Sequence, residues 1–345
     1  MAAPVKLLVS GGLREVSKRV DHPKLHMFPP SFNSGKAVLC CCISTIGSTT
    51  EMLKYLIISD NYTVEFARLN KNMTVPVLEV EDKVITDSLD LGLYLCDNFP
   101  GKGDQQVAAA GRTREMKAFV KSMAEWDEFQ LTYGNMDSST SDTANDIRVI
   151  NLKKQLRNII DDFPTLLGCS GTKPCKDKTQ LIDTYVEKIA GISNMKYAIS
   201  GVSADRKKEE LDKNWKMLMK LCGDAKRLLD RNPDGFLFGP ELTTADCYFL
   251  PVFRLLEFTY PLLFEKCLAE YPKFGPYWTR AKAHPDLNRG FLFSKPSLGA
   301  FAISRGAARM MLGYKTGLLK APDLPEDIQQ RIRTRTEQLR KATRP

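Results

Sequence analysis

The stretch Asn72–Pro100, "NMTVPVLEVEDKVITDSLDLGLYLCDNFP", sets a proline at the head of what otherwise reads as a strand. Proline removes a ladder donor, so sheets confine it to an edge, a bulge or the first residue of a strand. The neighbouring residues predict the local architecture. Val77 to Val80 and Lys83 to Thr86 are two β-rich runs joined by a tight Glu81-Asp82 turn, which reads as a hairpin. Ser88 is placed to cap a helix carrying Leu89, Leu91, Leu93 and Leu95 as far as Asn98, with Pro100 as a stop. A cis Val75–Pro76 bond would leave the preceding carbonyl and amide pointing away from the sheet, free to pair with an extended ligand. A trans proline opening an edge strand is the plainer alternative.

Upstream of this unit, "KLHMF" reads as a short strand, "PPSFNSG" as a loop and "KAVLCCCISTIG" as an apolar helix ended by Gly47. "MLKYLIISD" predicts a second strand and "TVEFARLN" a short helix leading into the hairpin. The order is strand, helix, strand, helix, strand, strand, helix. After Pro100 long helical patterns take over. In "REMKAFVKSMAEWDEF" Met116, Phe119, Met123 and Trp126 recur at spacings of three and four, an amphipathic stripe. "NMDSSTSDTAND" is rich in Ser, Thr, Asp and Asn and predicts a loop. Helical runs follow from Ile150 to about Ala225, broken at "GCSGTKPCKDK", where Cys169 and Cys175 read as exposed free thiols or a regulatory disulfide. In "GPELTTADCYFLPVFRLLEF", Thr243 and Asp246 have the spacing of a capping box at the start of an apolar helix, which Pro251 should kink.

Composition narrows the function classes. A chain of 345 residues with 43% hydrophobic and 26% charged residues can hold two domains and bury a substantial core. The most apolar window, "CYFLPVFRLLEFTYPLLF", carries Arg254 and Glu257 and reads as a core helix rather than a membrane span. Nine cysteines without a signal peptide or a CxxC motif indicate buried thiols in a reducing compartment. Cys40, Cys41 and Cys42 are consecutive on a helix and point three ways, so with only three histidines no metal site is expected. The net charge of +9 is concentrated at one end: residues 301–345 hold 10 Lys/Arg against 4 Asp/Glu. No basic-and-aromatic platform accompanies it, so nucleic acid is not an expected partner. The first 23 residues are basic and weakly amphipathic; Glu15 and Asp21 count against an organelle transit segment.

Together these residues resemble the cytosolic glutathione S-transferase superfamily. "LHMFPPSFNSGKAVLCC", "VEFARLNKNMTVPVL" and "ITDSLDLGLYL" match its thioredoxin-like domain in order and spacing, and "FLFGPELTTADCYFLPVF" matches its helical domain, so that the likeness runs from about Lys24 to Leu287. "EWDEFQLTYG", the insertion before "NMKYAISGVSADRKKEELDKNWKMLMKL" and the basic tail are most similar to ganglioside-induced differentiation-associated proteins and plant tetrachlorohydroquinone dehalogenase-like enzymes. The former carry a tail anchor in organelle membranes, whose hydrophobic span is absent from this chain.

The resemblance implies an α/β thioredoxin-like domain over residues 24–100, an enlarged all-α domain over 101–296 with an insertion at about 137–196, and a basic tail over 297–345. It implies glutathione as cosubstrate and usually a homodimer. The backbone of Val75, before a cis Pro76, would pair with the cysteinyl part of glutathione, and Asp87 and Ser88 would hold its γ-glutamyl end. A helix N-terminus suits that carboxylate, and an acidic side chain suits the ammonium. Asp87 is one methylene shorter than the family's usual Glu or Gln. Ser31 maps onto the serine that donates to the glutathione sulfur and favours thiolate. Ser34, at the predicted helix start, is the second candidate for that role, or simply the N-cap. Pro29 and Pro30 depart from the usual loop. Trp126, Phe129 and Tyr133 lie on the helix that usually faces the second substrate, although such aromatics are more often core.

In the tail, "GAFAISRGAARMMLGYKTGLLK" has four cations and no acids, with Ile303, Ala307, Met310, Met311, Tyr314 and Leu318 on one helical face. That pattern suits an anionic membrane surface, the protein's own core or a partner. "PEDIQQRIRTRTEQLRKATRP" reads as a solvated basic helix or tail. Three functions follow: conjugation of glutathione to an electrophilic, aromatic or halogenated molecule, as in detoxification; a non-catalytic scaffold or assembly subunit at an organelle membrane; and glutathione-dependent thiol reduction, which usually needs a cysteine where Ser31 stands. The protein is expected to be cytoplasmic or peripheral on an organelle such as the mitochondrion.

Overall fold

The computed structural model describes residues 20–28, 31–46, 49–52, 60–99, 101, 108–109, 111–127, 138–161, 177–200, 204–287 and 312–343. Its amino-terminal unit runs β1 (Val20–Met27), α1 (Phe32–Ile43), β2 (Thr49–Met52), a 3-10 turn (Asp60–Tyr62), α2 (Val64–Leu69), β3 (Val77–Glu81), β4 (Lys83–Ile85) and α3 (Ser88–Asn98). The four strands form one sheet in the order β2-β1-β3-β4. β1 runs parallel to β2 and antiparallel to β3, pairing Leu25 with Thr50 and with Leu78. The hairpin forms where the β-branched runs place it, with Val80 opposite Lys83 and Glu81 at φ 52 in its turn. This is a thioredoxin-like fold.

The helical unit comprises α4 (Thr113–Glu125), α5 (Ser138–Ile160), α6 (Lys178–Ser200), α7 (Ala204–Arg231), α8 (Thr244–Thr259), α9 (Pro261–Glu270), α10 (Phe274–Ala283) and α11 (Glu326–Thr343). Both halves of the capping box are present on α8: Asp246 accepts from the Thr243 amide at 2.8 Å and the Thr243 side chain accepts from the Asp246 amide, while the Thr243 hydroxyl also donates to Asp246 at 2.9 Å. Asp246 also accepts from the Leu237 amide and the Tyr277 hydroxyl, so this buried carboxylate joins the start of α8 to α10 and the turn before it. Pro251 lies inside α8. α8 packs on α1 and α4, and one apolar core runs without a break from Leu25 and Leu78 of the sheet through Leu39 and Leu95 to Met116, Phe249 and Phe253. The stripe read from the sequence, Met116, Phe119, Met123 and Trp126, is buried in that core.

A second core packs against α2. Leu152, Leu156 and Ile159 of α5 and Leu181, Tyr185 and Ile189 of α6 pack with Tyr62, Val64, Ala67 and Met73 of the thioredoxin-like unit and with Leu324, Ile328 and Ile332. Two expectations fail here. From Ser138 on, the polar run expected as a loop is the first part of α5, because that helix is held by the apolar spacing of its later turns; tertiary burial outweighs the weak propensity of Ser, Thr, Asp and Asn, and residues 135–137 lie outside the described residues. The last segment is not solvated throughout. Ile328, Ile332 and Thr336 recur every four residues on α11 and are buried, while Arg335 and Glu187 pair at 2.8 Å beside them and Arg331 pairs with Asp183.

Smaller boundaries also shift. α1 begins at Phe32 rather than Lys36 and ends at Ile43, before Gly47, because Ser31 already caps it and Ser44 closes it. β2 meets the expected second strand only at Met52; residues 53–59 lie outside the described residues. Cys169, Cys175, the Pro29-Pro30 pair, Phe129, Tyr133, the first 19 residues and the amphipathic stretch up to Met311 lie outside them as well. The seven described cysteines are free thiols, six buried and Cys42 half-buried. Among the described residues no helix is long and apolar enough to cross a membrane, and no three His, Cys, Asp or Glu side chains come together as metal ligands.

Candidate functional site

The fold brings three segments together at one end of the sheet. At the first, Ser31 is the N-cap of α1: its backbone amide donates to the Phe28 carbonyl at 2.9 Å, and its Oγ accepts from the Ser34 amide at 3.3 Å. That cap uses the oxygen as an acceptor and leaves the hydroxyl proton as a donor, at a helix end whose dipole favours an anion. Ser34 is placed differently. It is fully buried in the first turn, where its Oγ accepts from the Phe28 amide at 3.1 Å and fastens the end of β1 to α1.

The second segment is the approach to β3. The Val75–Pro76 bond is cis, and Val75 packs with Phe28, Phe66 and Val77, so the residue before the proline lies against the strand end that Ser31 and Ser34 hold. The third is the start of α3. Here the N-cap is Asp87 rather than Ser88: one carboxylate oxygen accepts from the Leu89 amide at 2.8 Å and the Asp90 amide at 3.1 Å. An aspartate accepts two amides of the first turn with little strain and brings a negative charge to the positive helix end, which explains why it outcompetes the serine. Ser88, the first residue of the helix, points its hydroxyl toward Asn33 and donates to Oδ1 at 3.4 Å, tying the starts of α3 and α1 together.

Three further residues at this junction were not found by reading the sequence. Lys36 is only 2% exposed; its Nζ donates to Asn33 Oδ1 at 2.9 Å and lies 4.5 Å from the Phe32 ring centroid and 5.5 Å from that of Tyr248. Two aromatic faces and an amide oxygen stabilise a charge that burial alone would penalise. Its signal in the sequence is a lone lysine in the apolar run of α1. Tyr248 of α8 donates its hydroxyl to the Ser88 carbonyl, and burial pushes its pKa well above the ordinary phenol value. Asn33 accepts from both Lys36 and Ser88. Trp126 is core rather than pocket: it donates to Asn214 Oδ1 at 2.9 Å and stands edge-on to Phe32, with centroids 5.6 Å apart.

A thioredoxin-like sheet with a cis-proline, followed by a helical unit with a buried capping box, defines a class of protein that comparison makes definite. The family description "Glutathione S-transferase, N-terminal domain" matches residues 25–103, and "Glutathione S-transferase, C-terminal domain" matches residues 184–289. This chain belongs to the glutathione S-transferase superfamily. Among solved structures it is similar to a beta-etherase from Sphingobium sp. strain SYK-6, with 17% identity over 78% of this chain and 98% of that one and a TM-score of 0.49. It is also similar to a glutathione S-transferase from Xylella fastidiosa, at 15% identity over 79% and 98% of the two chains with a TM-score of 0.46. Ure2p, solved in complex with glutathione, shows 12% identity over 79% and 100% with a TM-score of 0.40. None of the curated protein sequences compared with the chain matches it.

Proposed function

We propose that this protein is a glutathione transferase that joins the glutathione sulfur to an electrophilic, aromatic or halogenated small molecule. The observation that carries the reading is the junction of the α1 and α3 N-termini through Ser88 and Asn33, beside the cis Val75–Pro76 bond. Two positive helix ends and a serine hydroxyl converge there, as a peptide bearing a carboxylate and a nucleophilic thiol requires. In this reading the γ-glutamyl carboxylate takes the Ser88 hydroxyl, its ammonium takes Asp87, and the cysteinyl backbone pairs with Val75. Ser31 donates its hydroxyl proton in a hydrogen bond to the sulfur, which lowers the thiol pKa and raises the thiolate fraction. The thiolate attacks the electrophilic carbon, a carbon–sulfur bond forms, and the leaving group departs with the electron pair of its broken bond.

The test is calorimetric titration of glutathione into wild type, Ser88→Ala and Asp87→Asn. Asparagine keeps the helix cap and removes only the charge, which separates ligand binding from folding. Binding in the micromolar to millimolar range, weakened in both variants, supports the reading. Loss of turnover with an aryl halide in Ser31→Ala, with glutathione binding retained, supports the thiol-activating role. The extra helices α5, α6 and α11 favour one second reading, a non-catalytic subunit of this fold in an assembly or at an organelle membrane. It predicts no heat at millimolar glutathione from a folded protein.

A further inference from the structure

The segment that leads into the cis-proline is held from outside the thioredoxin-like unit. Asn70 to Thr74 form a tight turn in which the Asn70 side-chain amide donates to the Thr74 carbonyl at 2.8 Å and the Met73 amide donates to the Asn70 carbonyl at 2.8 Å. Met73 sits at φ 50, a backbone region that residues other than glycine rarely adopt. Such a conformation persists where the surroundings over-determine it. Its surroundings include α5 and α6: the Met73 side chain is buried in the second core with Leu152 and Leu156 of α5 and Leu181, Tyr185 and Ile189 of α6.

Polar contacts follow the same line. Arg68 of α2 pairs with both carboxylate oxygens of Asp177, just before α6, at 2.6 and 3.0 Å. Tyr185 donates to the Tyr62 carbonyl at 2.5 Å, and one turn on, Lys188 Nζ donates to the Asn72 carbonyl at 2.6 Å. We infer that helix α6 of the insertion positions the Asn72–Val75 segment of the glutathione site, and that Lys188 is its positioning residue. The inference rests on the proposed glutathione reading for its functional consequence, not for its structural content. Lys188 bonds to a residue three before Val75, and a main-chain contact at that distance restricts where the Val75 amide and carbonyl can lie.

The charge cost of this lysine makes a positioning role distinguishable from a stabilising one. Burial, and secondarily Arg148, push its pKa down to about 8, so the ammonium is held at an electrostatic cost near neutral pH. Asn72 is exposed, so its carbonyl can turn to water when the lysine is removed. Lys188→Met should therefore keep or raise thermal stability near neutral pH while freeing the turn.

The experiment compares wild type, Lys188→Met and Lys188→Arg in two readouts. Amide hydrogen exchange without glutathione should be about three- to tenfold faster at Asn72–Val75 in Lys188→Met, with α6 itself still protected. The arginine variant, which keeps a donor, should restore most of the protection. Calorimetry should show glutathione bound about three- to tenfold more weakly by Lys188→Met, with recovery in Lys188→Arg. Unchanged exchange at the turn overturns the positioning role, as does faster exchange spread over α5 and α6 with a falling melting temperature. If wild type binds no glutathione, the ligand reading fails, and the exchange arm still decides whether α6 positions the turn.

Discussion

At the residue scale, charge placed against its preference is the clearest marker of what a side chain does here. Lys188 has its pKa lowered to about 8, chiefly by burial and then by Arg148. Below that pH both folded and unfolded chains hold the proton, and the folded state bears the full cost of the partly desolvated charge. Between about 8 and the unperturbed lysine value near 10.4 the unfolded chain binds more protons, so this residue's contribution to stability rises with pH. Denaturant titrations of wild type and Lys188→Met should show the variant's relative advantage largest at pH 7 and shrinking toward pH 10. A difference that is constant with pH would rule out the depressed pKa. Gly92 shows a steric constraint instead. A Cβ there would stand 2.4 Å from the Tyr248 hydroxyl oxygen, and the buried ring has nowhere to withdraw. Gly92→Ala should cost about 1–3 kcal/mol in urea unfolding and detach Tyr248 from Ser88. Leu93, one residue on and partly buried, offers the control position.

At the element scale, the three helix starts that frame the sheet and the domain junction are held by different devices. α1 uses Ser31, α3 uses Asp87, and α8 uses the Thr243–Asp246 box. Asp246 is fully buried, and burial raises its pKa even against four hydrogen bonds to its carboxylate. Asp246→Ala strands the Leu237 and Thr243 amides and the Tyr277 hydroxyl together, so the loss should exceed an ordinary cap: about 3 kcal/mol or more, read as a lower denaturation midpoint. Retained stability would mean that water enters and satisfies the donors. The box was legible from sequence because its two residues are three apart. The cap on α3 was misread because Asp87 and Ser88 are both good N-cap types, and only the backbone decides which of two adjacent residues stands outside the helix. The start of α5 was misread because its early residues carry no burial signal of their own.

At the scale of the whole molecule, two cores share the thioredoxin-like unit. One joins the sheet to α8 across the domain junction, and the other joins α2 to α5, α6 and α11. Trp126 and Phe32 meet in the first, so the fluorescence of Trp126, isolated by Trp215→Phe and Trp278→Phe, reports on that junction. Because no polar layer separates sheet from helices there, the fluorescence and far-ultraviolet transitions of the two should coincide; separate midpoints would show that the halves unfold independently. Removing α11 by truncation after Lys320 exposes the apolar faces that Leu324, Ile328 and Ile332 cover. The truncated protein should melt several degrees lower, with exchange quickened first in α6. Equal exchange in α6 would mean that α11 only rests on it.

The amino-acid sequence by itself determined the local chemistry: the hairpin from its β-branched runs, the start of α8 from its Thr243–Asp246 capping box, the stripe of α4 from its spacing, and the identity of the residues before and after the cis-proline. Those features depend on interactions between residues near each other in the chain, so a short window contains their cause. Tertiary structure alone decided that Ser88 meets Asn33, that a lysine in an apolar run lies between Phe32 and Tyr248, that a basic terminal helix packs on α6, and that α6 reaches Asn72. Those contacts join residues from 55 to 212 positions apart, or depend on which face is buried, and no local pattern encodes a partner so distant.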